Sequence, residues 1–191
     1  MRVMLLDNKD SFSYNVVHLL KISGLEVEVF DNEVNPESID PEDYEALIIS
    51  PGPGNPVNHR DRGVGMELLE KEFPVALGIC FGNQLLGYRL GCDIYRTEKL
   101  MHGEIDTMEN RGTGIMSGIP DRFSAVRYHS LAIKPGRRVV VDTVSASDGT
   151  VMAFHSTDNR YYGIQFHPES YYSQHGKEII ENFIGVIREH G

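Results

Sequence analysis

Short apolar runs and helix-patterned stretches alternate along the first half of the chain. Four runs that are apolar or strictly alternating predict β-strands at residues 2–7, 25–30, 46–50 and 74–79. Apolar residues spaced three and four apart predict amphipathic helices at residues 13–23, 64–72 and 83–91. This strand–helix rhythm predicts a doubly wound α/β sheet, with helices covering mostly parallel strands.

The second half of the chain is richer in strand patterns. Alternating or apolar runs predict further strands at residues 122–128, 137–147, 151–156 and 161–166, and a last helix from about residue 176 to 189. Internal repeats, low-complexity tracts and linkers are absent from the sequence. We therefore predict a single domain over residues 1–191.

Composition and charge narrow the classes of function. The chain has 191 residues and a formal net charge of −10, and its longest run of adjacent basic residues is the pair Arg137 and Arg138. Nucleic-acid binders carry basic faces, so we expect neither nucleic acid nor an anionic membrane as a partner. Two cysteines, Cys80 and Cys92, fit a reduced cytoplasmic protein. Two cysteines are too few for a disulfide framework. A zinc site needs more clustered ligands than this sequence offers, so we predict no metal site.

Three loops that directly follow predicted strands carry reactive or glycine-rich motifs. They are SPGPGNP at residues 50–56, CFGNQ at 80–84 and HPES at 167–170. In doubly wound sheets, ligands bind beyond the carboxyl ends of the strands. Three such loops together indicate a site more strongly than any one of them alone.

The stretch GICFG, residues 78–82, matches a nucleophile elbow in which cysteine replaces serine. Such a turn from strand to helix is sharp, so the residues two before and two after the nucleophile must be small. The following helix points its N-terminus at Cys80 and favours the thiolate. The alternative is a buried structural cysteine between two packing glycines, and the short pattern alone does not decide between them.

The stretch FHPES, residues 166–170, supplies the two groups that a thiol nucleophile needs. His167 is a candidate base, and Glu169 is a candidate acid to orient it. If Pro168 keeps the segment extended, both side chains point to the same side. The alternative is a surface turn that leaves both side chains solvated.

The stretch SPGPG, residues 50–54, follows a buried strand directly. Its glycines allow the backbone to approach a ligand closely, so Gly52 or Gly54 could donate one N–H of an oxyanion hole. The N–H of Phe81, which follows the nucleophile, would be the other donor. The alternative is a plain tight turn, which is the commoner fate of Pro-Gly pairs.

In this order and spacing, SPGPG, GICFGNQ and GIQFHPES resemble the class I (triad) glutamine amidotransferases. The resemblance covers nearly the whole chain and implies a flavodoxin-like, open, mixed and mainly parallel sheet with helices on both faces. It implies that Cys80, His167 and Glu169 are the catalytic triad. The positions that match the family's glutamine-binding residues are Gly52, Pro53, Gly54, Gln84, Ser130 and Leu131.

Three further motifs narrow the resemblance to amidotransferase subunits of chorismate-using synthases. They are LLDNKDSFSYN at residues 5–15, KLMHG at 99–103 and RYHSL at 127–131. They match the anthranilate synthase type, component II, and equally its near twin in 4-amino-4-deoxychorismate synthesis. The resemblance implies L-glutamine as substrate and a chorismate-binding partner of the component I type. It implies no cofactor in this chain, with Mg²⁺ expected on the partner.

The sequence departs from the family pattern at a few positions. Asn83 stands where histidine is usual, Phe81 where leucine is usual, and residues 57–65 differ from the typical loop. His102 and His129 lie in motifs that the family shares, which places them near the site or the partner interface. Two rival functions stay open from the residues alone: a stand-alone cysteine hydrolase and a non-catalytic regulatory subunit.

Overall fold

Nine strands form one continuous mixed sheet. The computed structural model describes all of residues 1–191. The strands are β1 (Arg2–Asp7), β2 (Glu26–Asp31), β3 (Ala46–Ile49), β4 (Val75–Ile79), β5 (Asp93–Asn110), β6 (Arg122–Lys134), β7 (Val139–Ser145), β8 (Val151–Ser156) and β9 (Tyr161–Ile164). The helices are α1 (Ser13–Ile22), α2 (Gly65–Glu70), α3 (Phe81–Arg89) and α4 (Gly176–His190). Short 3₁₀ turns occupy Pro36–Ser38, Pro41–Asp43 and Gly114–Met116.

The strand order is β2-β1-β3-β4-β9-β8-β7-β5-β6. The pairings from β2 to β9 are parallel, and those from β9 to β6 are antiparallel. The predicted mixed α/β class is confirmed. The strand-rich second half adds a larger antiparallel part than a purely doubly wound sheet would have.

Helices cover both faces of the parallel part, as predicted. Alternate residues of β1 point to opposite sides because side chains alternate along a strand. Val3 and Leu5 join a core of 29 buried residues that includes α1 and α4, whereas Met4 and Leu6 join a core of 18 that includes α2 and α3. None of the four helices combines the length and apolar character that a membrane crossing requires.

The central strands β3 and β4 explain why the apolar runs are continuous there. All four residues of β3 and all five of β4 are buried. Strands covered by helices on both faces cannot show polar alternation. The carboxyl ends of these two strands carry the SPGPG and CFGNQ loops, so both loops lie at the same edge of the sheet.

Strand β5 is the element that the hydrophobic pattern does not predict. It pairs with β6 along its length, with register shifts after Arg96 and His102, but with β7 only at its last three residues. Most of β5 and β6 is therefore a two-stranded ribbon, and only a few β5 side chains are buried. Its partner β6 buries seven of its 13 residues, but β5 itself lies mostly in water, and such a strand needs no apolar alternation.

Candidate active site

The site begins at the turn between β4 and α3. Cys80 has φ 53° and ψ −101°, and α3 starts at the next residue. Its backbone N–H donates to the Ile164 carbonyl of the neighbouring strand at 2.7 Å. A non-glycine residue at positive φ persists only where its surroundings hold it. The predicted elbow is therefore present, and the helix begins two residues earlier than the sequence pattern indicated.

The glycines on either side of Cys80 are steric requirements of this turn. A Cβ on Gly78 would lie 2.3 Å from the backbone of Gly82, and one on Gly82 would lie 2.2 Å from the carbonyl oxygen of Ile49. These contacts are with backbone atoms, which have little freedom to shift. The N-terminus of α3 thus packs directly on the end of β3, and Phe81 N–H is among the first N–H groups of the helix, which have no intrahelical acceptor.

His167 and Glu169 form a buried pair. Nδ1 of His167 lies 2.6 Å from Oε1 of Glu169, and both side chains are almost fully buried. The backbone N–H of His167 donates to Val126 of β6 at 3.0 Å, which fixes the segment against that strand. Because the carboxylate accepts from Nδ1–H, Nε2 is the ring nitrogen that gives or takes a proton.

The predicted extended conformation of the His167–Glu169 segment is wrong. Pro168 and Glu169 lie in a turn in which the N–H of Ser170 donates to the carbonyl of His167 at 3.2 Å. Proline suits the second position of such a turn. The carboxylate reaches the imidazole because the chain folds back, not because alternate residues share a face.

Two aromatic rings enclose the imidazole. Phe12, from the LLDNKDSFSYN motif, and Tyr128, from β6, each contact His167 edge-on, with the ring centroids 5.3 Å from that of the imidazole. Nε2 of His167 is buried without a hydrogen-bond partner. Burial alone would lower the pKa of His167, but the neighbouring Cys80 and Glu169 outweigh it and raise that pKa well above its usual value. These contacts favour the protonated form of His167, with the imidazolium next to the thiol.

The thiol of Cys80 lies beside the same tyrosine. Sγ donates to the carbonyl of Tyr128 at 3.5 Å, and the side-chain amide of Gln165 donates to Sγ at 3.8 Å. Cys80 is 6% exposed and His167 2%. The reactive atoms are therefore almost closed off from solvent, in a low-dielectric pocket where charge interactions are strong.

Gln84 lies one helical turn after Cys80 and is buried. Its Nε2 donates to the Leu131 carbonyl at 2.9 Å and to Oε1 of Gln165 at 3.2 Å. Both hydrogens of this amide are used, so Oε1 is the atom left for a ligand. Asn83, for which the sequence offers no role, donates to the same Gln165 oxygen at 3.1 Å.

His129 is a structural neighbour of the site. Nε of Arg127 donates to Nε2 of His129 at 3.1 Å, so Nδ1 carries the proton and donates to the Leu131 carbonyl at 3.0 Å. Burial, with the charge of Arg127, lowers the pKa of His129 to about 4. Arg127 itself is fully buried and ion-paired with Asp106 and Asp148. His129 is therefore neutral at pH 7.

The remaining predicted glutamine-binding residues lie around this centre. The Ser130 carbonyl accepts from the Thr97 hydroxyl at 3.2 Å, and Gly52 packs against the Cβ of Asn8. Pro53 and Gly54 line a polar cavity of about 310 Å³ whose lining does not include Cys80. The contribution of residues 52–54 to an oxyanion hole stays a prediction.

Sequence reasoning missed Phe12, Asn83, Tyr128 and Gln165 as members of the site. Each of them lies within, or within two residues of, a motif already singled out, at residues 5–15, 80–84, 127–131 and 167–170. Their proximity to those motifs was the available signal. Their contacts depend on β9 pairing with β4 and on β6 meeting the segment after β9 at the bridge between Val126 and His167, which one local pattern does not show.

Comparison with known proteins identifies the family. The model of the class-I glutamine amidotransferases matches residues 4–186. The chain belongs to this family. An anthranilate synthase component 2 from Saccharolobus solfataricus is 36% identical over 192 residues, covering 96% of this chain and 98% of that protein. An aminodeoxychorismate/anthranilate synthase component 2 from Bacillus subtilis is 36% identical over 193 residues, covering 98% of this chain and 97% of the relative.

The fold of this amidotransferase matches solved structures as well. The crystal structure of a putative GMP synthase component from Thermoplasma acidophilum superposes with a TM-score of 0.87 at 22% identity. The superposition covers 99% of this chain and 94% of the Thermoplasma protein. At that identity the likeness concerns the fold, and it agrees with the mixed sheet described above.

The neutral state of His129 predicts how stability varies with pH. Because the pKa of His129 is lower in the fold, the unfolded chain binds the extra proton as pH falls below about 6.5. The contribution of His129 to the free energy of unfolding is fully present above that pH and decreases by about 3 kcal/mol as the pH falls towards 4. Urea unfolding of wild type and His129→Gln from pH 4 to 7 gives the free energy of unfolding of each protein. The amount by which wild type is the more stable of the two should decrease by about this value as the pH falls from 7 to 4. The control is His18→Gln, which replaces an exposed histidine, and its free energy of unfolding should vary with pH as that of wild type does. If the values for His129→Gln also ran parallel to wild type over this range, a neutral His129 would be contradicted.

Proposed function

We propose that this amidotransferase hydrolyses L-glutamine at Cys80 and supplies ammonia to a chorismate-binding synthase subunit, as the component II subunit of anthranilate synthase. The observation that carries the proposal is the Cys80 elbow beside the buried His167–Glu169 pair. A cysteine at a helix N-terminus next to a charged imidazole is activated for nucleophilic attack. That combination also argues against a non-catalytic regulatory subunit.

The first half of the reaction forms a glutamyl thioester. The Cys80 thiolate attacks the side-chain amide carbon of glutamine, and the carbonyl oxygen takes up the negative charge. The N–H of Phe81, with Gly52 or Gly54 as second donor, would stabilise that oxyanion. His167 Nε2–H gives its proton to the leaving nitrogen, so the C–N bond breaks and ammonia departs.

The second half releases glutamate and restores the thiolate. Neutral His167 takes a proton from water, the hydroxide attacks the thioester carbon, and the C–S bond breaks. Glu169 holds the Nδ1–H side of the ring throughout, so that Nε2 faces the reacting atoms. The rings of Phe12 and Tyr128 limit the water around the imidazole.

Glutamine recognition would use groups already oriented by the network. Oε1 of Gln84 is the free end of a fixed amide and can accept from the substrate's α-ammonium group. Ser130 and Leu131 would contribute backbone groups to the amino-acid end, and Gly52, Pro53 and Gly54 would close the other side. The amide carbon would then lie at the thiol.

The names of the relatives support a chorismate-using partner. The Saccharolobus relative is named an anthranilate synthase component, and the Bacillus relative carries both the anthranilate and the aminodeoxychorismate name. The second candidate is therefore the equivalent subunit of 4-amino-4-deoxychorismate synthase. Near full-length likeness to both disfavours a stand-alone cysteine hydrolase. The partner would use Mg²⁺, and a cytoplasmic location would keep the Cys80 thiol reduced.

Replacing the nucleophile tests the glutaminase step. Cys80→Ser is expected to lower glutamate release from glutamine by at least about 10³-fold, because a serine hydroxyl here lacks the thiolate's nucleophilicity. The assay measures glutamate with and without the chorismate-binding partner. Cys92→Ser is the matched control and should keep wild-type rates, because Cys92 contacts the Gly136 N–H, remote from the triad. Equal release by Cys80→Ser and wild type would sink the nucleophile assignment.

The product formed with each partner separates the two pathways. Chorismate, glutamine and a component I subunit of the anthranilate type should yield anthranilate, detected by fluorescence. The same mixture with an aminodeoxychorismate-type partner tests for the 4-amino product. Formation of the 4-amino product alone would show that the pathway assignment is wrong while leaving the glutaminase assignment intact.

A further inference from the structure

We propose that Gln165 is a further catalytic group of this site, whose amide N–H stabilises the Cys80 thiolate, and that Asn83 and Gln84 orient that amide. The inference deepens the proposed function and rests on it for the reaction step. Neither residue 165 nor residue 83 belongs to the predicted triad or to the predicted glutamine-binding set.

Contact with the nucleophile is the first step of the argument. Gln165 is fully buried, and its Nε2 lies 3.8 Å from Sγ of Cys80. Its backbone N–H donates to the Met152 carbonyl of β8 at 2.8 Å, so the main chain is fixed. A buried amide donor beside sulfur stabilises the anion, because hydrogen bonds to charged groups are the strong ones.

The orientation of the Gln165 amide follows from its neighbours. The Leu131 carbonyl can only accept, so the Gln84 atom that contacts it must be the NH₂ group. That same NH₂ contacts Gln165 at 3.2 Å, so the Gln165 atom there must be the oxygen. The Gln165 nitrogen is then the atom that faces Sγ.

The other donor to the Leu131 carbonyl is His129, whose tautomer is fixed by a residue that can only donate. The guanidinium of Arg127 donates to His129, which therefore carries its proton on Nδ1 and donates to the Leu131 carbonyl. Arg127 remains a donor at any working pH. The Leu131 carbonyl thus accepts from His129 and from the NH₂ group of Gln84, which also contacts Gln165.

Asn83 is the second group that fixes the amide. Its Nδ2 donates to Oε1 of Gln165 at 3.1 Å, and its own Oδ1 is buried without a partner. The reverse orientation would place two oxygens face to face. Gly163 leaves the space that this side chain fills, because a Cβ there would lie 2.4 Å from Oδ1 of Asn83. Asn83 is therefore a positioning residue that acts through Gln165.

A neutral N–H donor complements the charged histidine. His167 gives up its proton when ammonia leaves and is charged again only after it takes a proton from water, so the charge beside sulfur changes during the reaction cycle. Gln165 does not titrate and can donate to sulfur at both stages. The titratable groups near the thiol are His167 with Glu169 behind it and, on β6, Tyr128, Arg127 and the neutral His129.

Alkylation of Cys80 across a range of pH tests the proposal without any substrate. Iodoacetamide reacts with the thiolate, and mass spectrometry of the Cys80 peptide keeps Cys92 out of the measurement. In Gln165→Met, the pH of half-maximal alkylation rate should rise by about one unit, because the donor is lost. Gln165→Glu should raise it further, because a carboxylate oxygen then faces sulfur.

The same measurement separates positioning from mere packing. Asn83→Asp keeps the shape but turns a donor into an acceptor, so it should move the midpoint in the same direction as Gln165→Met. All three variants should lose about tenfold or more in glutaminase kcat/KM at pH 7, recovering in part at higher pH. Gln174→Glu is the matched control, because this exposed side chain accepts from the Ser124 N–H through an oxygen that glutamate retains.

Each outcome of these measurements either supports or overturns the proposal. Wild-type alkylation midpoints in Gln165→Met and Gln165→Glu would overturn the role of Gln165, and a wild-type midpoint in Asn83→Asp alone would overturn the role of Asn83. If one Gln165 variant fails to fold by circular dichroism, the other decides. Because alkylation needs no glutamine, a wild-type chain that releases no glutamate would sink the proposed function while this result still stood by itself.

Discussion

The backbone of Cys80, held at positive φ between β4 and α3, is the constraint on which the site depends. Such a conformation costs on the order of 1–3 kcal/mol and needs packing that over-determines it. The packing is the contact of α3 with the end of β3, which only glycines at 78 and 82 allow. This one turn places Sγ beside Tyr128 and His167, leaves the Phe81 N–H without an intrahelical acceptor and starts the helix that carries Asn83 and Gln84.

The buried guanidinium of Arg127 is a second constraint on the site. Arg127 is fully buried, paired with Asp106 and Asp148, and donates to His129. Burying a guanidinium is costly unless it is paired and hydrogen-bonded, and here its partners are in place. Its fixed donor character sets the tautomer of His129, and the Leu131 carbonyl of the same strand, which can only accept, sets the orientation of Gln84 and through it that of Gln165. The antiparallel half of the sheet thereby orients groups at the end of the parallel half.

The sequence predicted the elements that bury apolar faces and the motifs at strand ends. Strands β3 and β4 and helix α4 were predicted within two residues of their observed bounds, because a strong hydrophobic pattern reports burial. β5 was missed because a strand that lies mostly in water needs no such pattern. The turn at Pro168 was predicted as extended, although its outcome, contact between His167 and Glu169, was expected correctly. Gln165 and Asn83 stayed without a role, since their partners come from strands distant in sequence.

The central claim is that Cys80 forms a covalent bond to the γ-carbonyl carbon of glutamine. Acid quenching within the first turnovers, followed by peptide mass mapping, measures it directly. The account predicts a glutamyl group on the peptide that contains Cys80 and on no other peptide, at levels that fall as glutamine is exhausted. Steady release of glutamate with no adduct on that peptide, or with the adduct on Cys92, would contradict it.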